Sequence, residues 1–116
     1  MDKVLNSNIK NFRVFRGITQ DGLAKQLGKS KNVISNWERG DNSPDIESVE
    51  KMCKILRVTP NQLFGWDICK EYEDYTHMMK KKQLELISLE NEKEKLQQRI
   101  DYIIREIKAE EAKRNE

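Results

Sequence analysis

This chain has few residues that break, turn or cross-link a fold. Its 116 residues include two Pro, five Gly, two Cys and one His. So little Gly and Pro argues against a turn-rich all-β architecture. Cys53 and Cys69 are too few for a disulfide framework, and with His77 alone they cannot make a metal site. A reducing, cytoplasmic setting is the expectation. Hydrophobic residues make up 36% of the chain, against roughly 45–50% in ordinary domains. That shortage of core material excludes a large single-core enzyme. No apolar run approaches the roughly 18–20 residues of a membrane span. The segment Met1 to Ile9 lacks the apolar centre of a secretion signal. No Ser or Cys sits beside a base, and there is no convincing acid pair, Gly-rich phosphate loop or ligand cluster. The chain is therefore not expected to be an enzyme or to hold a cofactor or metal. With no second globular domain, no ligand-sensing pocket is expected either.

Charge is plentiful, at 36% of residues, and unevenly placed. Residues 1–66 hold 11 Lys+Arg against 7 Asp+Glu, a net +4; residues 67–116 hold 11 against 13, a net −2. Every Gly and Pro lies in the first part. The composition shifts near Gly65–Asp67, which divides the chain into domains 1–66 and 67–116.

The first part predicts five short helices. Val4, Leu5, Ile9, Phe12 and Phe15 form the apolar face of the first, which Gly17 stops. Thr19 caps a second helix carrying Leu23, Ala24 and Leu27, ended by Gly28. Ser30 caps a third with Ile34 and Trp37 inward, closed by Gly40. After the loop Asp41 to Pro44, Asp45 caps a fourth with Ile46, Val49, Met52, Cys53 and Leu56 on one face. Thr59-Pro60-Asn61-Gln62 is a capping box that opens a fifth through Leu63 and Phe64. Cys53 reads as core, Cys69 as a surface linker residue and His77 as lying on a helix face near the coil.

The second part predicts one long helix from about Asp67 to Ala112. In a heptad frame, position a takes Tyr72, Met79, Leu86, Lys93, Ile100 and Ile107, and position d takes Tyr75, Lys82, Leu89, Leu96, Ile103 and Glu110. Leu86, Leu89, Leu96, Ile100, Ile103 and Ile107 form a coiled-coil stripe for oligomerisation. In a parallel dimer the g and e positions pair Glu85 with Glu90, Glu92 with Gln97, Arg99 with Ile104, and Glu106 with Glu111. Two of these repel and none is a salt bridge, and Ile104 widens the stripe. A homodimer is preferred, with a tetramer in reserve and the orientation of the coil open. Lys93 at an a position limits higher assembly and helps fix register.

The spacing between the second and third helices is the informative feature. Gln20 begins one helix, the small Ala24 sits at the crossing, and Gly28 supplies a left-handed turn. The helix Lys31 to Arg39 follows after a two-residue link. This is a helix-turn-helix, a unit that presents its second helix to the DNA major groove. Over about residues 5–64 the chain resembles the phage-repressor-like (Cro/cI, or XRE-type) helix-turn-helix family. The resemblance rests on Ile18-Thr19-Gln20 with Leu23-Ala24, on Leu27-Gly28-Lys29-Ser30, and on Ile34-Ser35-Asn36-Trp37-Glu38-Arg39-Gly40, with Pro44 and Leu63-Phe64 also fitting. Gly22 departs from the pattern, where a better helix former is usual; it costs roughly 1 kcal/mol relative to Ala and predicts a less rigid second helix.

The resemblance implies an all-α, five-helix lambda-repressor-like domain followed by the coiled coil. It implies base-edge contacts from Lys31, Asn32, Ser35 and Asn36. Lys can donate to guanine O6/N7, Asn can pair with adenine N6/N7, and Val33 can meet a thymine methyl. Gln20, Lys29, Ser30 and Arg39 are candidates for backbone contacts. Arg13 and Glu38 occupy positions that form a structural ion pair in that family. Double-stranded DNA is the expected partner, without a membrane. The function expected is a sequence-specific regulator, a repressor of the kind found in bacteria and their mobile elements. The alternative is an antitoxin-type protein whose C-terminal helix holds a protein partner while its first domain represses its own operon.

Overall fold

The computed structural model describes residues 3–115, and all its regular elements are helices. They are α1 (Lys3–Phe15), α2 (Gln20–Leu27), α3 (Lys31–Arg39), α4 (Ile46–Leu56), α5 (Pro60–Leu63) and α6 (Lys70–Arg114). The chain forms two compact units, Met1–Asp74 and Tyr75–Glu116. No helix among the described residues is long and apolar enough to cross a membrane.

Short side chains start the helices of the first unit. Thr19 Oγ1 accepts from the Gly22 amide at 3.0 Å, and Ser30 Oγ accepts from Val33 at 3.4 Å. Thr59 and Gln62 bond reciprocally at 2.9 and 3.1 Å, the capping box legible in the sequence. Asp45 precedes α4 and its carbonyl accepts from the Val49 amide at 3.0 Å, without a side-chain cap bond; its exposed carboxyl is held below the usual carboxylate range, first by the Ser48 side chain. Gly28 (φ +68°) ends α2 in the left-handed region, and the Lys29 amide closes back on the Ala24 carbonyl at 2.9 Å.

Leu5, Ile9 and Phe12 of α1, Leu23, Ala24 and Leu27 of α2, and Ile34 and Trp37 of α3 share one core with Met52, Cys53, Leu56, Val58 and Leu63. Three expectations fail at its margin. Val4 is 46% exposed and Ile46 is 80% exposed. Both sit at the edge of the buried face of their helices; in the same first turns Leu5 and Ser48 are the residues buried. Cys69 is not a surface linker residue: it is half-buried and packed on the core. Gly22 leaves α2 continuous. A Cβ there would lie 3.1 Å from Thr19 Oγ1 and 3.5 Å from Ile18 Cγ2, so the cap fills the space a larger residue would take.

The first unit continues past the compositional break near residue 66. The Tyr72 ring stands edge-on to Phe12 and Phe15, with centroids at 5.1 and 5.4 Å. Arg16 donates through Nε to the Leu56 carbonyl at 2.7 Å and through Nη1 to Glu71 at 2.8 Å. One guanidinium thus ties α1, the end of α4 and the first turn of α6. The second unit is the remainder of α6, whose Leu and Ile side chains are all exposed.

Leu23 is fully buried, so Leu23→Ala is expected to cost about 2–5 kcal/mol in urea unfolding. A cost under 1 kcal/mol would contradict this packing. Arg16 holds the Glu71 carboxyl below its ordinary value, mainly by hydrogen bonding. A depressed folded pKa contributes stability above the unfolded pKa, and that contribution is lost as pH falls through the folded value. Melting temperatures measured from pH 7 to pH 3 are expected to fall less steeply for Glu71→Gln than for the parent. Parallel curves would remove Glu71 from the acid response.

Candidate nucleic-acid interface

The helix-turn-helix is built from the inside outward. Leu23, Ala24 and Leu27 on α2 face Ile34 and Trp37 on α3, and all five are buried. Ala24 leaves room for the two axes to cross closely. Trp37 is a core residue, 4% exposed, and is no stacking platform. Burying positions 34 and 37 turns the opposite side of α3 outward. Lys31, Asn32 and Arg39 are exposed there, and Val33, Ser35 and Asn36 are half-exposed.

A buried charge cluster fixes that orientation. Arg13 on α1 donates through Nε and Nη2 to the two Glu38 oxygens at 2.7 and 3.0 Å. Its Nη1 donates to the Ile18 carbonyl at 2.8 Å, in the link between α1 and α2. Gln20 Nε2 donates to Glu38 Oε1 at 3.1 Å. The side chains of Arg13 and Glu38 are 10% and 4% exposed. A two-pronged guanidinium–carboxylate pair is geometrically selective, so α1, α2 and α3 meet at one carboxylate. Gln20 therefore braces the second helix of the motif through one N–H of its amide, which keeps a second N–H.

The entry to α3 favours an anion. Its first turn has no acidic residue, and Lys29, Ser30 and Lys31 surround it. A helix N-terminus carries partial positive charge and free amides. Ser30 Oγ accepts from Val33, which leaves its hydroxyl proton to donate elsewhere. At the other end, Arg39 donates to Ser35 Oγ and Asn36 Oδ1, and at 3.1 Å to Asp41. Arg39, expected only at the DNA backbone, thus also braces Ser35 and Asn36. The signal was present in the spacing, since residues three and four positions apart share a helix face. Asn36 Oδ1 keeps a second lone pair and its Nδ2 is uncommitted to Arg39, so its amide retains both polarities for a base edge.

Removing one partner of a buried pair strands the other. Glu38→Ala is expected to destabilise the fold by about 3–5 kcal/mol, with Arg13→Met/Glu38→Leu losing less than Glu38→Ala alone. Chemical denaturation measures both. A loss below 1 kcal/mol for Glu38→Ala would show that the node does not hold the helices.

The sequence profile of the helix-turn-helix family matches residues 9–63. The uncharacterized HTH-type transcriptional regulator YazB of Bacillus subtilis is 30% identical over 61 residues, covering 53% of this chain and 88% of that protein. The cryptic phage CTXphi transcriptional repressor RstR of Vibrio cholerae is 36% identical over 55 residues, covering 47% of this chain and 50% of the repressor. The chain thus spans only half of RstR's length. Among solved structures, the DNA-binding domain of the P22 c2 repressor superposes with a TM-score of 0.50 at 30% identity, covering 54% of this chain and 83% of that domain. The buried α2–α3 crossing and these similarities agree: the chain belongs to the helix-turn-helix family of transcriptional regulators.

Proposed function

We propose that this chain binds double-stranded DNA sequence-specifically, with α3 in the major groove, and represses transcription from an inverted-repeat operator as a homodimer. The observation that carries this reading is the outward face of α3. Its Lys31, Asn32, Ser35 and Asn36 are turned outward by the burial of Ile34 and Trp37, and the half-exposed Val33 lies at its margin, packed against the core. These side chains supply a cation for guanine, two amides for adenine, a hydroxyl, and a methyl surface for thymine. Lys29, Ser30 and Arg39 flank the face and meet the phosphates on either side, while Gln20 sets the angle of α3. The stripe Leu86, Leu89, Leu96, Ile100, Ile103 and Ile107 joins two copies, so one protein reaches two half-sites. Occupancy of the operator then obstructs polymerase and rises with protein concentration. Similarity to a phage repressor and to a phage repressor's DNA-binding domain supports this reading.

Three variants divide the assignment. Lys31→Ala/Asn36→Ala is expected to lose about 1–3 kcal/mol of discrimination per contact while keeping its helical spectrum. Unchanged selectivity in a competition gel shift would refute α3 as the reading helix. Lys29→Ala is expected to weaken all duplexes alike and lower the salt slope by about one. A chain ended after Asp74, where the first unit closes, is expected to bind a two-half-site operator much more weakly at the same salt. Equal affinity would contradict the dimerising role of the second unit.

A further inference from the structure

The second unit exposes an apolar helix face. Leu96, Ile100, Ile103 and Ile107 are 44–62% exposed along it, an aliphatic row that water disfavours. Two charges interrupt the seam near these residues, Lys93 at position a and Glu110 at position d. Seam charges set register and orientation in coiled coils at some cost in stability.

In a parallel pair every seam residue faces its own copy. Lys93 would meet Lys93, and Glu110 would meet Glu110, in addition to the repulsive flanks between Glu85 and Glu90 and between Glu106 and Glu111. In an antiparallel pair, a faces d, g faces g and e faces e. Placing Lys93 opposite Glu110 of a second copy sets Leu96 against Ile107 and Ile100 against Ile103. The two-fold axis repeats each layer, so four aliphatic layers lie between two Lys–Glu layers. The g flanks become Arg99 with Glu106 and Glu92 with Lys113, both opposite in sign. Side chains lean toward their own helix N-terminus, so these g side chains converge. The like-charged flank, Glu90 with Glu111, is at e, where side chains lean apart.

Two neighbouring antiparallel registers also keep four aliphatic layers. One sets Arg99 against Arg99 and Glu92 against Glu106; the other sets Glu85 against Glu106 and leaves Lys93 facing Leu96. With aliphatic layers equal in number, charge decides. Resting on the homodimer reading above, we propose that residues 89–114 of α6 pair antiparallel with the same stretch of a second copy, Lys93 facing Glu110 at both ends. Leu89 then lies against Arg114 of the second copy, and Leu86 falls beyond the last layer. At 1.5 Å per residue the two Tyr75 positions are about 80 Å apart along such a coil, more than two turns of DNA at about 34–36 Å each.

The test is sedimentation equilibrium of the full chain in four forms: the parent, Lys93→Glu, Glu110→Lys, and the double swap, with circular dichroism confirming helix. The parent is expected at the mass of two chains. Each single change faces like charges and raises the dimer Kd about tenfold, and the swap restores it. A parallel coil exchanges one like pair for another, so the singles would leave its Kd unchanged. Unaffected singles, or a swap that fails to restore, overturn the antiparallel register and leave the homodimer standing. A four-chain parent overturns the two-chain pairing, and a parent at one-chain mass in micromolar solution overturns the homodimer as well.

Discussion

Glu38 is the residue on which the first unit's geometry depends. Its carboxylate is almost wholly removed from water and accepts two hydrogen bonds from Arg13 and one from Gln20. A buried charge in this state tolerates only the arrangement that satisfies it. That requirement joins three helices that packing alone would allow to slide, because apolar contacts are non-directional. With Ile34 and Trp37 committed to the core, the node sets which side of α3 faces outward. The polar side of α3 is thus a consequence of how the interior is paired.

Much of this architecture was legible in the sequence, and the parts that were not share a cause. Caps such as Thr19, Ser30 and the Thr59–Gln62 box are local, so short-range chemistry located the helix starts. Periodicity assigned the faces of α1 and α4 but not where each face ends around the helix, which is why Val4 and Ile46 at its edge stay exposed. The break in composition near residue 66 does not mark where packing stops. Tyr72 lies beyond it on the aromatic rings of α1, and Glu71 reaches Arg16 across 55 residues. Arg13 and Glu38 are 25 residues apart, and no local rule joins them; the family resemblance suggested the pair. On the outward face of α3, residue types and spacing named the candidates. The hold of Arg39 on Ser35 and Asn36 needed side-chain positions.

The two units divide the chain's physical work. Residues 1–66 gather every Gly and Pro and a net +4 around one small core; residues 67–116 are net −2 and leave the Leu and Ile side chains of α6 exposed. One recognition helix carries few base contacts, and each is worth only about 1–3 kcal/mol. In the proposed function, specific affinity comes from engaging two half-sites together, with the apolar row on α6 as the means of pairing.

In the proposed function everything turns on whether the polar face of α3 reads duplex sequence. Selection of bound DNA from a random double-stranded pool, using the full chain at fixed salt, tests it most directly. Enrichment of a short sequence occurring twice with two-fold symmetry is expected. A pool that converges on no common sequence, while still binding, would contradict it.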